Sequence, residues 1–330
     1  MRAYIIRRLL LIIPTGLLVT LICFGTVRFI PGSVMELMAA EMSFDIGLSY
    51  DETVEYVSQQ LGMDEPIYIQ YGRWLGIVPQ EDGEIKGVLQ GDLGNSLWVR
   101  TPILDELVQR LPVSMELGFL SIIIGIILAI PIGTYSAIRQ DTVGDYLGRS
   151  IAILGLSVPH FLLGTIIIVF PSIWWGWTPD VQYVPFLEDP IENLEQFIIP
   201  ALVMGGTYSA SIMRLTRSMM LEVLRQDYIR TAWSKGLTER TVVFRHALKG
   251  AIIPVVTQIG MQMPVLFAGA IVTEQIFNLP GVGVLMITSI ANRDYAIISG
   301  INLMVATFIL VINLVVDMTY SWLDPRVHYR

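Results

Sequence analysis

Long uncharged stretches rich in apolar residues alternate with charged connections along most of this chain. A helix needs roughly 20 apolar residues to cross about 30 Å of hydrocarbon, and six stretches reach or approach that length before the next charge. The pattern therefore predicts an all-α polytopic membrane protein with six transmembrane helices. The predicted spans are 9–27, 117–138, 150–179, 196–213, 250–273 and 295–316.

A seventh uncharged stretch, 275–292, is interrupted by the sequence NLPGVG at 278–283. Such a turn would leave backbone groups unpaired in lipid, so we expect a loop or a short helix packed on protein.

The first apolar stretch follows Arg2, Arg7 and Arg8 and could also be a secretory signal. It is longer than a usual signal core and has no small-x-small cleavage site, which favours an uncleaved first helix.

The polar segment between the first two spans is too long for a tight connection. It predicts a small external subdomain over 31–112, with helices near 51–60 and 66–74. The remaining parts are a cytoplasmic tip with the first span (1–30), a five-helix core (113–323) that contains a cytoplasmic loop (219–250), and a cytoplasmic C-terminal tail (324–330).

Composition and charge support a membrane location. A chain with 53% hydrophobic and 15% charged residues has more apolar side chains than one soluble core of ordinary composition holds. With the N-terminus in the cytoplasm, six spans place fifteen basic residues in cytoplasmic segments and five outside. The positive-inside rule selects this orientation, with both termini cytoplasmic and the protein in the plasma membrane. Cys23 is the single cysteine, so no internal disulfide forms.

The most cationic segment covers residues 221–254. Its pattern predicts one helix over 219–235, ended by Gly236 in a left-handed conformation. Thr238 would cap a second helix, and the charge of Glu239 suits its first turn. Three apolar residues share one side of that second helix: Val242, Val243 and Ala247.

Charge alone would make this segment a topology signal and lipid anchor. Its sequence, however, resembles the EAA loop of ABC importer membrane subunits, with RTA at 230–232, glycine at 236 and HAL at 246–248. DYIRTAWSKGL followed by RHALKGAIIPVV is similar to the form found in the dipeptide, oligopeptide and nickel permease family. Arg and Thr in the first two places of the signature, and Lys249 where many importers have proline, are departures that are usual in the peptide branch.

Further sequence motifs resemble those of the same family and occur in the same order along the chain. They are LGMDEPIYIQYGRWLG at 61–76, GDLGNSL at 91–97, the 277–300 segment with its PGVG and RDY phrases, and DPR at 324–326. The resemblance thus covers nearly the whole chain. GDLGNS is not read as a phosphate loop, because it lacks the Gly-Lys-Ser/Thr ending and a preceding apolar strand.

The resemblance implies a type I ABC importer permease fold and a subunit that forms half of a pathway for di- or oligopeptides. It also implies four kinds of partner: a second similar permease, two ABC ATPase subunits, an extracytoplasmic solute-binding protein and the lipid membrane. The cationic segment would form the coupling helix that docks on an ATPase, with Ala232 packing into a groove of that partner. Relatives also carry nickel or sugars, so the substrate stays open. The coupling residues implied are Asp227, Arg230, Thr231, Ala232, Lys235, Gly236 and Leu237.

Candidate residues for the pathway come from the third and fifth spans. Pro159 would kink its helix near mid-membrane, and His160 beside it is ionisable, although a lone histidine is also often an ordinary helix contact. Met261 and Met263 adapt to irregular surfaces, with core filling as the plainer alternative. In the fourth span, small residues spaced four apart predict close helix packing: Gly205 with Ser209 and Gly206 with Ala210.

Catalytic chemistry has no visible basis in the sequence. The three histidines, His160, His246 and His328, are scattered, and no Walker sequence occurs. We therefore expect no enzyme activity, no cofactor or metal, and no nucleic-acid partner, with ATP hydrolysis on separate subunits.

A stand-alone secondary transporter or channel is the main alternative and predicts functional charges inside the bundle. A membrane-embedded enzyme would need a paired nucleophile and base.

Overall fold

The computed structural model describes residues 2–28, 49, 65–80, 83–96, 99, 101–179 and 182–323. Two predicted features, the helix near 51–60 and the tail 324–330, lie outside the described residues. Within them the regular structure is helical, apart from one isolated bridge between Asn95 and Pro102. The helices are α1 Arg2–Arg28, α2 Ile67–Leu75, α3 Ile103–Ile138, α4 Val143–Ser157, α5 His160–Trp175, α6 Pro190–Leu224, α7 Asp227–Ser234, α8 Leu248–Ile276, α9 Val282–Ala291 and α10 Tyr295–Leu323.

Among the described residues, five helical stretches are long and apolar enough to cross a membrane. They lie in α1, α3, α6, the continuous stretch Glu239–Met263 that includes the first part of α8, and α10. The pair α4 and α5 counts as a sixth span only if a bend of 94° between them is accepted. The all-α prediction is thus confirmed, and the third predicted span is broken where we expected a kink. Val158 is extended (φ −100°, ψ 118°), because the residue before a proline avoids the helical region, and Pro159 then starts a new helix.

The spanning helices extend beyond the uncharged stretches that predicted them. Charges end a hydrophobic run without ending the helix. Asp105 and Glu106 lie in the first turn of α3, where negative charge is favourable. Asp189 caps α6 by accepting hydrogen bonds from the backbone N–H groups of Ile191 and Glu192, so that helix begins before its apolar run. The helix predicted near 66–74, between the first two spans, is confirmed as α2.

The chain forms two compact units, of which the larger comprises 1–9, 110–287 and 308–330. In this unit α6 packs against α4, α5 and α8. A Cβ atom added at Gly205 would lie 2.6 Å from the carbonyl oxygen of Ser121 on α3, whereas one added at Gly206 meets open space. Close packing is therefore confirmed at Gly205, and Gly206 is not needed for it.

The smaller unit comprises 10–109 and 288–307. Here α1 contacts α2 through Phe24 and Tyr71, whose ring centroids are 5.3 Å apart. The Ser96 hydroxyl donates to Asp294 Oδ2 at 2.5 Å, and Asp294 Oδ1 accepts from the backbone N–H of Ile297 in the first turn of α10. The GDLGNS and RDY motifs are therefore in contact, and together they hold the start of α10.

Candidate coupling site

The cationic segment forms α7, which is set off from α6 by a break at Arg225 and Gln226. Both residues donate their N–H groups to carbonyls three residues earlier, at Glu222 and Val223, so α6 tightens and stops at Leu224. The prediction of one helix over 219–235 was therefore wrong about its start.

The end of α7 matches the prediction. Gly236 has φ +73°; its N–H donates to Trp233 O at 2.9 Å, and the N–H of Leu237 donates to Ala232 O at 3.4 Å. This pair of bonds is a Schellman motif, in which a left-handed residue satisfies the last carbonyls of a helix. Glycine adopts that conformation without steric cost, so the left-handed Gly236 is confirmed.

One face of α7 is buried in its own chain. Ile229 and Ala232 are 0% and 6% exposed, and they belong to a cluster with Met220 of α6 and the segment that follows α7. We expected Ala232 to pack into a groove on a partner. That expectation is corrected, because the methyl group faces inward and its small size lets α7 lie close to residues such as Val242 and Val243.

The opposite face of α7 is open to solvent. Arg230 and Asp227 form only an exposed ion pair at 3.5 Å, which contributes little to stability. Tyr228 and Trp233 are 48% and 46% exposed, and neither was singled out from the sequence. Aromatic and arginine side chains are enriched at protein interfaces, so this face has the chemistry of a docking surface. The other exposed members of the predicted set are Thr231, Lys235, Gly236 and Leu237.

The second half of the segment is not a separate helix. A short helical turn, Glu239–Thr241, runs through a π-helical turn, Val242–Ala247, directly into α8. Thr238 occupies the N-cap position, but its hydroxyl contacts the Thr241 hydroxyl at 3.0 Å instead of a backbone N–H. The expected cap is therefore absent at Thr238. The predicted apolar side is confirmed, since all three of its members are buried: Val242, Val243 and Ala247.

A cleft of about 440 Å³ lies beside α7 and is lined by Tyr228, Arg245, His246, Lys249 and Gly250. A Cβ at position 250 would lie 2.8 Å from the Tyr228 hydroxyl oxygen, so glycine is what allows this contact. Partial burial raises the pKa of the Tyr228 phenol, which keeps it neutral at physiological pH. The cleft therefore adds two fixed cations to the exposed face of α7.

Behind this surface lies an ionic network that the sequence analysis missed. Asp145 is fully buried and accepts from Arg217 Nε and Nη2 at 2.9 and 3.0 Å. The Ser136 hydroxyl also donates to it, and Arg149 Nη2 lies 3.1 Å from its second oxygen. The network joins α3, α4 and α6 near the origin of α7. Asp145 and Arg149 are four residues apart on α4, a spacing that could have signalled it.

A second buried charge, on Glu274, accounts for the glycines of the PGVG motif. Glu274 directly follows the fifth predicted span and is fully buried. Its Oε1 accepts from the Ser114 hydroxyl at 2.5 Å, and its Oε2 accepts from the Gly283 N–H at 2.8 Å. The carboxylate thus caps the N-terminus of α9, and a Cβ at Gly281 would collide with it. The seventh uncharged stretch is a short helix, as expected.

The candidate pathway residues differ in their surroundings. Pro159 and His160 begin α5 at the bend, and His160 is half-buried, with no hydrogen-bond partner for Nε2 in the described part of the chain. On α8, Met261 is 65% exposed, whereas Met263 packs against the core. Two neighbouring methionines therefore face different surroundings.

Residues 121–329 match the family described as binding-protein-dependent transport system inner membrane component, and residues 1–118 match the N-terminal component of the same systems. The dipeptide transport system permease protein DppB of Escherichia coli K12 is 37% identical over the full length of both chains. A putative peptide transport system permease protein of Brucella suis is also 37% identical over both full lengths.

Among solved structures, a chain of the inward-facing MetNI methionine ABC transporter superposes with a TM-score of 0.55 at 14% identity. The match covers 67% of this chain and 98% of that one, and it shows the ABC importer permease fold. The matches describe a membrane-embedded transport component of the inner membrane and not a catalytic subunit. The chain belongs to the family of binding-protein-dependent transport system inner membrane components.

Proposed function

We propose that this chain is the permease subunit of an ATP-driven importer for di- or oligopeptides and forms half of its translocation pathway. The proteins that match over their full lengths carry dipeptide or peptide transport in their names, which supports peptides over the nickel and oligosaccharide alternatives.

The observation that carries the proposal is the two-faced geometry of α7. Its inner face is fixed in the chain's own core through Ile229 and Ala232, while its outer face offers cations and exposed aromatic rings. A short helix held rigidly in this way transmits a push from a bound protein to α6 and α8, the helices on either side. We assign docking on a separate ABC ATPase to the exposed residues Asp227, Arg230, Thr231, Lys235, Gly236 and Leu237. Ala232 contributes indirectly, because it packs α7 against the chain's own core.

The remaining partners follow from the proposed complex. A second permease completes the pathway, a second ATPase serves that permease, and a solute-binding protein delivers peptide at the outer surface. We place both termini and α7 in the cytoplasm, because this orientation puts fifteen basic residues inside and five outside. The 31–112 segment then lies outside, where the binding protein docks.

A pull-down of the intact complex tests the proposal. Residues 230–236 are replaced by a neutral linker, and co-purifying subunits are identified by mass. We expect an ATPase with the native chain and none with the variant. Neutral replacement of exposed residues 83–86 is the matched control and retains the ATPase. Absence of an ATPase from the native preparation would contradict the importer assignment.

Cargo is tested separately, in proteoliposomes that contain the complete complex. ATP-dependent, saturable uptake is measured with a labelled dipeptide, with nickel and with an oligosaccharide. We expect uptake of the dipeptide alone. Uptake of nickel or sugar without uptake of the dipeptide would keep the importer and reject the peptide assignment.

The buried charges Asp145, Arg217 and Glu274 favour a second candidate, a stand-alone secondary transporter, because such proteins place functional charges inside the bundle. Each of these charges, however, has its partners within the fold, as structural charges do. Peptide uptake driven by an ion gradient, with no ATP and no partner subunit, would favour the secondary transporter.

A further inference from the structure

A cavity of about 730 Å³ opens between α4 and α6. Its lining combines one cluster of arginines with a set of apolar side chains, and a single acidic side chain, Glu222, lies at the edge. The arginines are Arg149, Arg214, Arg217 and Arg225, and the apolar residues are Ala152, Ile153, Leu156, Met213 and Leu221.

The two kinds of lining are separated along the membrane direction. The helices α4 and α6 run antiparallel, since Arg217 bonds to Asp145 at one level and a Cβ at Gly155 would lie 3.2 Å from Ala210 at a deeper one. Arg149, Arg217 and Arg225 therefore belong to the end that carries α7. Ile153 and Leu156 lie further from that end along α4 and are 63% and 45% exposed, so the cavity has a cationic mouth and an apolar part beyond it.

The cationic mouth holds more donors than the chain satisfies. Asp145 neutralises Arg217, and Arg149 shares the same carboxylate at 3.1 Å, lies 3.5 Å from an Asp141 oxygen and covers the ring of Tyr146. The buried Nε of Arg149 has no hydrogen-bond acceptor in the described residues. Arg214 and Arg225 are exposed, and no ion pair of either is found within the described ranges. An anion at the mouth would accept from the exposed guanidinium groups of Arg214 and Arg225.

We propose that this cavity binds an anionic phospholipid from the leaflet on the α7 side. The phosphate lies among Arg149, Arg214 and Arg225, because guanidinium groups match phosphate oxygens with paired N–H donors. An acyl chain lies along Ile153 and Leu156, which a free phosphate ion would leave uncovered. Basic pockets between transmembrane helices are typical sites for acidic lipid head groups.

Occupancy of this site bridges α4 to α6, the helix that leads to α7. The lipid phosphate contacts Arg149 on α4 and Arg214 on α6, so it joins the two helices next to the break that begins α7. The inference goes beyond peptide import, because it concerns the membrane lipid and holds for any cargo.

Native mass spectrometry of the delipidated full-length chain, with whatever subunits co-purify, tests the site. Phosphatidylglycerol is titrated against phosphatidylcholine with the same acyl chains. We expect tight binding of phosphatidylglycerol only, weakened about fivefold by Arg214→Gln or Arg225→Gln and about 25-fold by both changes together. Arg240→Gln removes the same charge outside the cavity and leaves binding unchanged.

A second measurement separates binding from folding. The double variant keeps the melting temperature of the lipid-free native chain and loses the rise that phosphatidylglycerol gives. Four outcomes would overturn the proposal: equal binding of phosphatidylcholine, equal losses in the Arg240→Gln control, displacement of the lipid by millimolar inorganic phosphate, or loss of binding when the second permease is present. The last would make the cavity a subunit interface. None of these results depends on ATPase attachment or peptide uptake.

Discussion

At the scale of single residues, Gly236 determines how α7 ends. The φ of +73° places it where a side chain with a branched Cβ is strained, at a cost of roughly 1–3 kcal/mol. No neighbouring atom lies within 4 Å of an added Cβ, so the strain is purely a matter of backbone conformation. A bulky residue here would change the direction of the chain after α7 without disturbing the core.

We predict that Gly236→Val uncouples ATP hydrolysis from peptide uptake. The strained turn displaces α7 relative to α8, so more ATP is consumed for each peptide carried. Gly236→Asn is the control, because asparagine tolerates the left-handed region. The measurement is the ratio of phosphate released to peptide imported in proteoliposomes, and an unchanged ratio for Gly236→Val would count against a lever role of α7.

Trp233 is the larger of the two exposed aromatic residues on α7. We predict that Trp233→Ala weakens attachment of the ATPase about 30-fold, which corresponds to the roughly 2 kcal/mol of an interface hot spot. The fold of the permease should not change, because the side chain is 46% exposed. Trp174→Ala, at a 65% exposed position at the end of α5, is the matched control. Affinity is measured by titrating purified ATPase onto the immobilised permease.

At the scale of helices, the Asp145 network connects α4 and α6 behind the docking surface. Asp145→Asn leaves Arg217 without its counter-charge in a site where Arg217 is only 19% exposed. We predict a loss in stability at the lower end of about 3–5 kcal/mol. The matched control, Asp141→Asn, changes a carboxylate that is 68% exposed and should cost well under about 1 kcal/mol. Denaturant unfolding in detergent measures both, and equal losses would refute the structural role of Asp145.

Features with local causes could be predicted from the sequence. The spans follow from the uncharged runs, and the turn at Gly236 follows from the chemistry of one residue. Pro159 located the interruption of the third span, but a proline does not specify an angle, so the 94° bend was read as a kink.

Features with distant causes could not be predicted. Ala232 faces inward because Val242 and Val243 return to cover it, and nothing within α7 itself reveals that. Asp145 and Arg217 are 72 residues apart, and Glu274 depends on Ser114, 160 residues away. Both contacts arise only from packing, so the sequence showed charges near span edges and not their partners.

At the scale of the whole molecule, the sidedness of the membrane decides whether α7 can meet an ATPase at all. We infer from the distribution of basic residues, fifteen against five, that α7 lies in the cytoplasm and the loop before α6 outside. The inverted orientation would put the exposed face of α7 on the outer surface, where ATP is not supplied. Orientation is thus a condition that the coupling role requires, and it is independent of the contacts within α7.

Chemical labelling of single cysteines measures this orientation directly. In a Cys23→Ser background, Ser234→Cys places a thiol on the exposed surface of α7, and Glu188→Cys places one on the exposed loop before α6. We predict that a membrane-impermeant maleimide labels Glu188→Cys in intact cells and Ser234→Cys only after permeabilisation, while the Cys23→Ser parent stays unlabelled. Labelling of Ser234→Cys in intact cells would place α7 outside, and the ATPase-coupled function would then fail because the docking face and the ATP would lie on opposite sides of the membrane.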